Sequence, residues 1–433
     1  MTLQEAFRGI PTNLNSRRSS FMNPVIGLDV SKGESQVQAF LDKGKPYRKS
    51  FSIKHTTEGL NSLLEYLKEV ESSAGGYQPS VVLESTGHYH IPVTQFLEEQ
   101  NYVYIVVNPL ISHRAKSSSL RKVKTDAIDA YHLCELFYKE ELEPYKKRGI
   151  QLLNLRNLTR QQESIAEISA KTKLQLHSLI DQVFPEYRGV FGSLYSKVSL
   201  LTLLEFPTSE AVMSVSEKEL AEKIASLCKS RSDIWAAERA LKLREAALRN
   251  PFQHNLYQSH IFNLEMLVKI VLQYQEHLSK IADEIDALAK EIEEYHILQS
   301  IPGIGEKIAA TIISEVGEIE RFNDAKKLVA FAGVDPSVYS SGKFTASVNR
   351  ITKRGSCRLR HALYMAVQSG IRDSRKKKTT DEIIARNKRL REFYDKKREE
   401  GKPFRVAVIA CVNKLLHWIY ALLKSRSTFQ DIA

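Results

Sequence analysis

Two apolar runs near the N-terminus each carry one carboxylate. Asp29 lies inside the run 25–30 (Val-Ile-Gly-Leu-Asp-Val), and Glu84 ends the run 80–84 (Ser-Val-Val-Leu-Glu). Short runs rich in valine, isoleucine and leucine are typical of strands buried on both faces, where an ionised side chain is costly unless it has a partner. A divalent metal shared with other acidic residues would supply that partner. The alternative is an aspartate that caps a turn at the end of a strand.

Two more carboxylates follow on one predicted helix. Asp126 and Asp129 lie three residues apart in the predicted helix 125–141, so that both face the same side. The helix dipole favours an acid in the first turn, which accounts for Asp126 alone. The two like charges repel each other beside apolar neighbours, and this indicates a cation. Together the four residues form a candidate metal-binding quartet.

A hydroxyl group in the C-terminal half offers a second kind of chemistry. The turn-rich segment 332–343 ends in Tyr-Ser-Ser-Gly-Lys, and the basic segment 351–356 (Ile-Thr-Lys-Arg-Gly-Ser) follows it. A serine oxygen on a glycine-bounded turn beside guanidinium groups can attack a phosphodiester if the developing charge is held. The same Ser-Ser-Gly spacing is also common in ordinary loops.

The excess positive charge of the chain is local. Lysine and arginine number 63 against 51 aspartate and glutamate, a net charge of +12. Residues 343–405 hold 20 basic and 7 acidic residues, so that the rest of the chain is close to neutral. Because aromatic residues accompany this basic segment, it predicts a nucleic acid as the partner, with an anionic protein or membrane surface as the alternatives.

The composition is that of an ordinary globular protein. With 42% hydrophobic residues, a chain of 433 residues can form two or three domains with adequate cores. We expect no run to reach the apolar length of a membrane span, and residues 1–24 are polar without a signal-peptide core, which predicts a cytoplasmic protein. The four cysteines lie far apart without a Cys-x-x-Cys pair and are expected to be packing residues.

The order of the predicted elements places the first two carboxylates on one sheet. The patterns predict three strands, a helix, a strand, a helix and a strand, an order that suits a ribonuclease-H-like sheet. In that topology the first and fourth strands lie side by side, which would bring Asp29 and Glu84 together at the sheet surface. The predicted strands are 25–30, 35–41, 47–53, 80–84 and 102–107, and the predicted helices are 58–70 and 91–100.

Two long helical patterns predict an arm. Apolar residues of 151–183 face one side, and those of 264–295 alternate steps of three and four, which is typical of a coiled-coil seam. We interpret the two helices as an antiparallel coiled-coil arm, with residues 186–260 inserted at its far end as a small helical subdomain. Such a seam is a core or an interface between subunits.

Residues 298–316 have the pattern of a helix-hairpin-helix. Their turn 302–305 (Pro-Gly-Ile-Gly) would aim backbone N–H groups at a phosphate, unless it is a plain turn between packed helices. Predicted helices 358–370 and 406–424 complete this region. The basic stretch 113–124 is a further candidate contact, with a solvated loop as the alternative. The predicted nucleic-acid contacts are Lys124, Gly303, Gly305, Lys343, Arg350, Lys353, Arg354, Arg358 and Arg360.

These motifs resemble a known family, the DEDD transposases of the insertion-sequence one-ten type, also called bridge recombinases. The resemblance covers nearly the whole chain. Segments similar to the four-carboxylate pattern of the family's RuvC-like domain are 27–32 (Gly-Leu-Asp-Val-Ser-Lys), 84–87 (Glu-Ser-Thr-Gly) and 124–130 (Lys-Thr-Asp-Ala-Ile-Asp-Ala). Segments similar to its C-terminal transposase domain are 301–305, 331–333, 339–342, 353–355 and 359–360.

The resemblance implies an α/β plus all-α fold. Its parts are a ribonuclease-H or RuvC-like mixed sheet with helices, a long antiparallel coiled-coil arm, and a mostly helical C-terminal transposase domain with a helix-hairpin-helix-like element. Only some relatives carry the subdomain 186–260, which affects the arm and not the chemistry. The expected domains are a polar arm 1–24, a catalytic domain 25–145, the coiled-coil arm 146–296, the transposase domain 297–425 and a tail 426–433.

The resemblance also implies a recombinase that excises and inserts a mobile element, while a structured noncoding RNA from the element pairs with both DNA partners. In the family's mechanism the serine before the glycine, here Ser341, attacks a DNA phosphate and leaves a covalent phosphoserine. The quartet would hold magnesium, with two ions expected. A dimer or tetramer formed through the arm would bind double-stranded DNA at the element ends and the target, in the bacterial or archaeal cytoplasm at the nucleoid.

Three other functions stay open on the sequence. A metal-dependent junction nuclease would use the same carboxylates with water, and would form no covalent protein–DNA adduct. An actin-like nucleotide-binding protein also begins with an apolar strand that bears an aspartate, but it needs glycine-rich phosphate loops, and residues 30–34 offer a single glycine. A non-catalytic DNA-binding scaffold would need no acidic quartet.

Overall fold

The protein is described here by a computed structural model. At 340–341 and 344–345 the structure describes the backbone alone. Lys124, Lys343 and most of the predicted polar arm lie outside the described residues. The described residues are 22–85, 87–107, 109, 111–112, 125–140, 142, 149–251, 258–337, 340–341, 344–345, 350–373 and 385–430.

The chain forms two compact units, an N-terminal unit of residues 1–147 and a C-terminal unit of residues 148–433. The described part of the N-terminal unit contains a five-stranded sheet in the order β3-β2-β1-β4-β5. Its strands are β1 (Val25–Val30), β2 (Glu34–Asp42), β3 (Lys45–Lys54), β4 (Ser80–Glu84) and β5 (Tyr104–Val107).

The sheet is mixed, as the sequence predicts. Strands β1, β2 and β3 pair antiparallel, because short connections join them, whereas β4 pairs parallel with β1 and β5 pairs parallel with β4. The prediction that the first and fourth strands lie side by side is therefore confirmed. Every predicted strand and helix of this unit is present within two residues of its predicted ends, except that the first helix ends three residues later than predicted.

Helices cover both faces of the sheet. The helices are α1 (Thr57–Ser73), α2 (Ile91–Glu99) and α3 (Asp126–Lys139). Because side chains alternate along a strand, Ile26 and Leu28 pack with α1 and α2 on one face, while Val25 packs with α3 on the other. Burial on two faces explains why these strands are continuous apolar runs.

Gly27 lets α3 lie directly on β1. A Cβ at this position would lie 2.2 Å from the carbonyl oxygen of Ala130 and 3.0 Å from Sγ of Cys134. The backbone N–H of Gly27 donates to that sulfur at 3.1 Å, and the thiol donates to the carbonyl of Gln38 at 3.3 Å. The backbones of α3 and β1 are thus so close that the Cys134 thiol forms hydrogen bonds with backbone groups of two adjacent strands, β1 and β2. Burial raises the pKa of Cys134 to about 12, so that it stays a neutral packing residue.

We expect Gly27→Ala to destabilise the N-terminal unit by about 1–3 kcal/mol, because the added methyl group forces α3 away from the sheet. Urea unfolding followed by circular dichroism measures this loss. Gly189→Ala is the matched control, since a Cβ at Gly189 meets no atom within 4 Å. Equal unfolding midpoints for the two variants would show that α3 tolerates displacement from β1.

The C-terminal unit begins with a pair of long helices, α4 (Ile150–Val183) and the later helix Gln258–Lys290. Gln151, at the start of α4, donates to the carbonyl of Leu288 at 3.4 Å, whereas Leu176 shares a buried cluster with Leu264. The pair is therefore antiparallel, and 34 residues at 1.5 Å each make α4 about 50 Å long. The predicted helices are present, except that the second ends at Lys290 and a separate helix begins at Glu293, within the run predicted to be unbroken to residue 295. A coiled-coil seam between subunits stays a prediction.

Residues 185–250 form a small helical subdomain beside this pair. Its core includes Phe184 and Tyr187 at the end of α4, and the hydroxyl of Tyr187 donates to the carbonyl of Ser199 at 2.6 Å. The same core includes Leu264 of the second long helix, which joins the subdomain to both helices. Its helices are α5 (Lys197–Glu205), α6 (Ser209–Met213), α7 (Glu217–Leu227) and α8 (Asp233–Arg249), and the second long helix (Gln258–Lys290) is α9.

The rest of the unit is mostly helical and is built on one large core that also includes Leu155 of α4. A short hairpin of β6 (Ser340–Ser341) and β7 (Phe344–Thr345) interrupts the helices. The helices are α10 (Glu293–Gln299), α11 (Glu306–Val316), α12 (Ala325–Ala332), α13 (Cys357–Gly370), α14 (Lys388–Glu399) and α15 (Phe404–Ser425).

Helix α15 corrects one expectation from the sequence. By length and composition this helix could cross a membrane. The expectation that no run reaches such an apolar length was therefore wrong. In this fold, however, Val408, Val412, Leu416 and Ile419 are buried in the core of the C-terminal unit. The apolar length of α15 is therefore used in packing against its neighbouring helices.

Candidate functional site

The two strand carboxylates lie side by side. In the parallel pairing of β1 with β4, Leu28 lies opposite Leu83, and Asp29 and Glu84 are the next residues of the two strands. Neighbouring strands are about 4.8 Å apart, and paired residues of parallel strands face the same side. By alternation that side is the face covered by α3. The carboxyl ends of β1 and β4 thus bring both acids to one edge of the sheet.

Helix α3 brings the other two acids to the same edge. Tyr138, near its end, donates to the carbonyl of Asn23, which precedes β1, and Cys134 contacts Gly27 in the middle of β1. The helix therefore runs antiparallel to β1, and its first turn, with Asp126 and Asp129, lies toward the Asp29 end. Asp129 is buried and Asp126 is exposed, although both were predicted to face the same side.

The start of α3 is fixed by local chemistry. The side chain of Thr125 accepts a hydrogen bond from the N–H of Ile128, which makes Thr125 the N-cap. The two aspartates then occupy the first turn, where the helix dipole favours negative charge. A shift of this cap would rotate Asp129 relative to the sheet, so that Thr125 sets the position of the helix acids.

One residue that the sequence does not mark holds Glu84. The hydroxyl of Ser112, which is buried, donates to Oε2 of Glu84 at 2.8 Å. This bond helps to fix the orientation of the carboxylate. No pattern in the sequence distinguishes Ser112 from the other serines of the stretch that follows β5.

The quartet suits a hard divalent cation in its donor chemistry, because every candidate ligand atom is a carboxylate oxygen. Its members also come from two adjacent strand ends and the helix turn beside them. Among the described residues, however, no three histidine, cysteine, aspartate or glutamate side chains are grouped as they would be around a metal ion. The quartet thus has the donor type and the location for a metal, without a closed ligand set.

The candidate serine lies on a hairpin whose base is firmly paired. Strand β6 carries Ser341 opposite Phe344 of β7. At the base, the N–H and the hydroxyl of Ser337 both donate to the carbonyl of Arg350 at 2.7 Å, and Thr352 bonds to Asp335 through both backbone and side chain. The two segments that flank the hairpin therefore form a short antiparallel base that fixes where the hairpin leaves the helical core.

The predicted basic contacts differ in their surroundings. Arg350, Lys353 and Arg354 are exposed around the base of the hairpin, and Lys353 adopts a left-handed backbone with φ of 53°. Arg358 instead forms an ion pair with Glu163 of α4, and Arg360 donates to the carbonyl of Ala332 at 2.9 Å. The first three face solvent, where a phosphate backbone can reach them, whereas the last two also hold helices together.

The turn between α10 and α11 has a structural reason for its first glycine. Gly303 has φ of +106°, and a Cβ there would lie 2.8 Å from the carbonyl oxygen of Ala366 and from the backbone of Gly370. The turn therefore packs tightly on the end of α13. Gly305 is exposed at the N-cap of α11. The predicted helix-hairpin-helix, with phosphate binding at the turn between α10 and α11, stays a prediction.

A buried carboxylate joins α4, α11 and α13. Glu315 of α11 is completely buried, and it accepts hydrogen bonds from Nε of Arg160 at 2.7 Å and from the hydroxyl of Ser356 at 3.0 Å. Arg156 lies at 3.5 Å from the same carboxylate. Burial alone would raise the pKa of Glu315, but Arg160, Arg156 and Ser356 together lower it to about 2. The carboxylate is therefore ionised at every physiological pH.

This low pKa makes part of the stability depend on pH. A carboxyl whose pKa falls from 4.5 to about 2 on folding stabilises the protein fully above pH 4.5 and loses that contribution as the pH falls toward 2. We expect Glu315→Gln to cost about 3 kcal/mol at pH 7, and this difference from wild type to shrink steadily below pH 4.5. Urea unfolding at a series of pH values measures the difference.

Glu167→Gln serves as the control for this measurement, because Glu167 is an exposed glutamate of α4. Its difference from wild type should stay small throughout. A difference for Glu315→Gln that is constant between pH 7 and pH 3 would mean that the carboxylate has no charge-dependent role. The sequence gives one clue to Glu315, since it falls among the buried positions of α11 beside Ile313 and Val316.

Two family models match the chain. A model for DEDD transposases of the IS110 type, described as a transposase, matches residues 26–185. A model described as the transposase IS116/IS110/IS902 family matches residues 295–382. The first match covers the sheet except its first residue, the four acids and all of α4, and the second covers the region of the serine hairpin.

Relatives with related names extend the similarity over nearly the whole chain. An uncharacterised 44.8 kDa protein of insertion element IS116 from Streptomyces clavuligerus is 22% identical over 93% of this chain and 95% of its own length. The transposase of IS1111A from Coxiella burnetii is 30% identical over 39% of this chain and 43% of its own. The pilin gene-inverting protein of Moraxella bovis is 27% identical over 31% of this chain and 38% of its own.

The mixed sheet carries its acids where the DEDD model matches, and the helical unit carries its hairpin where the second transposase model matches. Both models describe transposases, so neither match supports the two alternatives of an actin-like nucleotide-binding protein and a non-catalytic DNA-binding scaffold. This chain therefore belongs to the IS110 family of DEDD transposases and is a DNA transposase.

Proposed function

We propose that this transposase excises and inserts its mobile element with two chemical groups, the quartet of the N-terminal unit and Ser341. The observation that carries the proposal is that Asp29 and Glu84 stand at the ends of adjacent strands and that the first turn of α3 lies toward the same edge of the sheet. Four carboxylates have a reason to collect there if they share cations. Structural acids would be spread over the surface, where water solvates each of them.

Asp29, Glu84, Asp126 and Asp129 would hold the divalent cations, since their carboxylate oxygens suit a hard cation. Magnesium is the ion that the family resemblance implies. A bound cation supplies positive charge beside the scissile phosphate, and two such ions are expected. The protein's own part is to position the ligands. β1 and β4 fix two of them, the N-cap Thr125 fixes the helix pair, and Ser112 orients Glu84.

Ser341 is the proposed nucleophile. Its oxygen forms a bond to the phosphorus of a DNA strand while the bond from phosphorus to one deoxyribose oxygen breaks. The serine hydroxyl gives up its proton to solvent, and the departing oxygen takes up one proton from solvent. The product is a phosphoserine ester and a free hydroxyl end, so that the energy of the phosphodiester is kept for rejoining. Arg350, Lys353 and Arg354 are exposed around the base of the same hairpin and would hold the phosphate charge.

The test is a search for protein on cleaved DNA ends. Wild-type protein is incubated with DNA that carries the element ends, denatured with detergent, and resolved on a gel before and after protease treatment. We expect a slow-migrating species that protease removes, and mass spectrometry should place the phosphate on Ser341. Cleaved ends that never carry protein would favour a metal-dependent junction nuclease acting through water.

The family resemblance supports further parts of the proposal. They are a structured RNA from the element that guides both DNA partners, a homo-oligomer formed through the pair α4 and α9, and a cytoplasmic location. RNA that copurifies with the protein, is protected from ribonuclease and maps to the element would support the guide. A protein that recombines DNA after complete ribonuclease treatment would exclude it.

We expect DNA binding to weaken steeply with salt, since residues 343–405 carry 20 basic against 7 acidic residues. Removing one phosphate contact should lower the slope of log K against log salt by about 0.9. Arg354→Ala should show that reduction, because its side chain is exposed beside the hairpin. Lys68→Ala, on the exposed face of α1, is the control and should keep the wild-type slope. Fluorescence anisotropy between about 50 and 200 mM salt measures both.

A further inference from the structure

The long helix α4 and the segment at the base of the serine hairpin are joined through one buried carboxylate, that of Glu315. Helix α4 contributes Arg156 and Arg160 to the carboxylate of Glu315, and the same carboxylate accepts the hydroxyl hydrogen bond of Ser356. Next to this contact, Thr159 of α4 lies 3.1 Å from the hydroxyl of Ser314. Polar groups so deeply buried are expected to be mutually bonded, and such networks favour one arrangement of the elements that they join.

Ser356 has two hydrogen bonds with opposite roles. Its hydroxyl donates to Glu315, and the same oxygen accepts the N–H of Leu359 as the N-cap of α13. The residue thus ties the start of α13 to the charged group that α4 holds. A second contact, the ion pair of Glu163 with Arg358, joins α4 to the first turn of α13.

The segment before Ser356 cannot move independently of it. A Cβ on Gly355 would lie 1.9 Å from the carbonyl oxygen of Phe331, and the N–H of Ser356 donates to that carbonyl at 2.8 Å. Lys353 in turn donates its N–H to the carbonyl of Gly333 at 3.1 Å. The chain from Lys353 to Ser356 therefore lies flat on the end of α12, and the base of the hairpin begins at its other side.

We propose that Glu315 and Ser356 are positioning residues that couple the long helix α4 to the base of the serine hairpin. This inference rests on the proposed role of Ser341 for its effect on the reaction. A movement of α4, about 50 Å long, would change the position of the arginines around Glu315. Ser356 would transmit that change to Lys353 and Arg354, and so to the place where the hairpin presents its serine.

The test separates the donor role of Ser356 from its role as a helix cap. Asp and Gly both cap helices well, but neither side chain can donate a hydrogen bond to Glu315. Threonine keeps both roles. The variants are therefore Ser356→Asp and Ser356→Gly, with Ser356→Thr as the rescue. Ser232→Gly is the matched control, since Ser232 caps α8 in the helical subdomain through the same kind of bond.

Two measurements are made on the full-length protein. Hydrogen exchange of the amides in 350–356 is followed without DNA, and adduct formation is followed at saturating DNA. In Ser356→Asp and Ser356→Gly we expect faster exchange in this segment and a rate of adduct formation about tenfold lower, with the DNA Kd within about twofold of wild type. Ser356→Thr should recover most of the rate, and Ser232→Gly should match wild type in both measurements.

The outcomes distinguish this inference from the proposed nucleophile. If exchange in 350–356 and the adduct rate are unchanged in both donor-free variants, the coupling does not exist, whatever Ser341 does. If all Ser356 variants, including threonine, lose the rate equally, the hydroxyl acts only through folding and the inference fails. If wild-type protein forms no adduct, the role of Ser341 fails, and the exchange measurement alone decides whether Ser356 holds the segment.

Discussion

Ser341→Ala is expected to bind DNA with wild-type affinity and to form no covalent adduct. The substitution removes the only atom that the proposed reaction joins to phosphorus, so that the loss should be complete within detection rather than partial. Residual transposition below about 10⁻³ of wild type is the most that positioning and bound cations could sustain through water. The gel assay for protein-linked ends and a recombination assay measure the two quantities separately.

Ser340→Ala is the matched control for this prediction. It precedes Ser341 on the same short strand β6, whereas the family's motif places the nucleophile directly before the glycine. It should keep substantial activity. A Ser341→Ala protein that still recombines DNA would overturn the serine mechanism, and a Ser340→Ala protein that loses its adduct would move the nucleophile by one residue.

Asp29→Asn is expected to abolish strand cleavage, with a loss of about 10³-fold or more, while leaving the fold intact. The asparagine keeps the shape of the side chain but loses one negative charge at the edge shared with Glu84, so that cations bind more weakly. Without metal, the unfolding midpoint should be equal to or above that of wild type, because carboxylate repulsion is relieved.

A second measurement on Asp29→Asn does not depend on cleavage. Magnesium should raise the unfolding midpoint of the wild-type protein, since a ligand that binds only the folded state stabilises it. The same additions should have little effect on Asp29→Asn. Wild-type cleavage in a chelator-treated sample, or equal stabilisation of both proteins by magnesium, would contradict the metal role of the quartet. Glu84→Gln and Asp126→Asn should lose cleavage and magnesium stabilisation as Asp29→Asn does. Asp129→Asn should lose less activity if Asp129 is the outermost ligand.

The sequence by itself determined the elements and the neighbourhood of two acids. Apolar alternation marked β1 and β4, and the order of elements placed Asp29 beside Glu84, because short-range periodicity and the rules of sheet topology depend only on the local chain. The sequence also indicated the quartet and the serine segment as candidates, since two of the acids stand in apolar runs and the serine stands on a glycine-bounded turn beside basic residues. Their chemical roles stay predictions.

The sequence could not determine which helix face meets which partner. The contact of Gly27 with Ala130 and Cys134 joins residues more than 100 positions apart, and it helps to set how closely α3 approaches β1. The environments of Asp126 and Asp129 differ for the same reason: one side of the helix turn meets the sheet and the other meets solvent.

The buried charge shows the same limit in the C-terminal unit. Glu315 stands in an apolar helix whose period gives its burial but not its partners, which lie 155 residues away in α4 and 41 residues away at Ser356. Helix α15 shows the same limit in another way. Its composition suits either a membrane span or a protein core, and only the tertiary structure shows that it packs in the core. Periodicity determines what an element buries, whereas the tertiary structure decides against which atoms, since that choice depends on the shape and charge of distant surfaces.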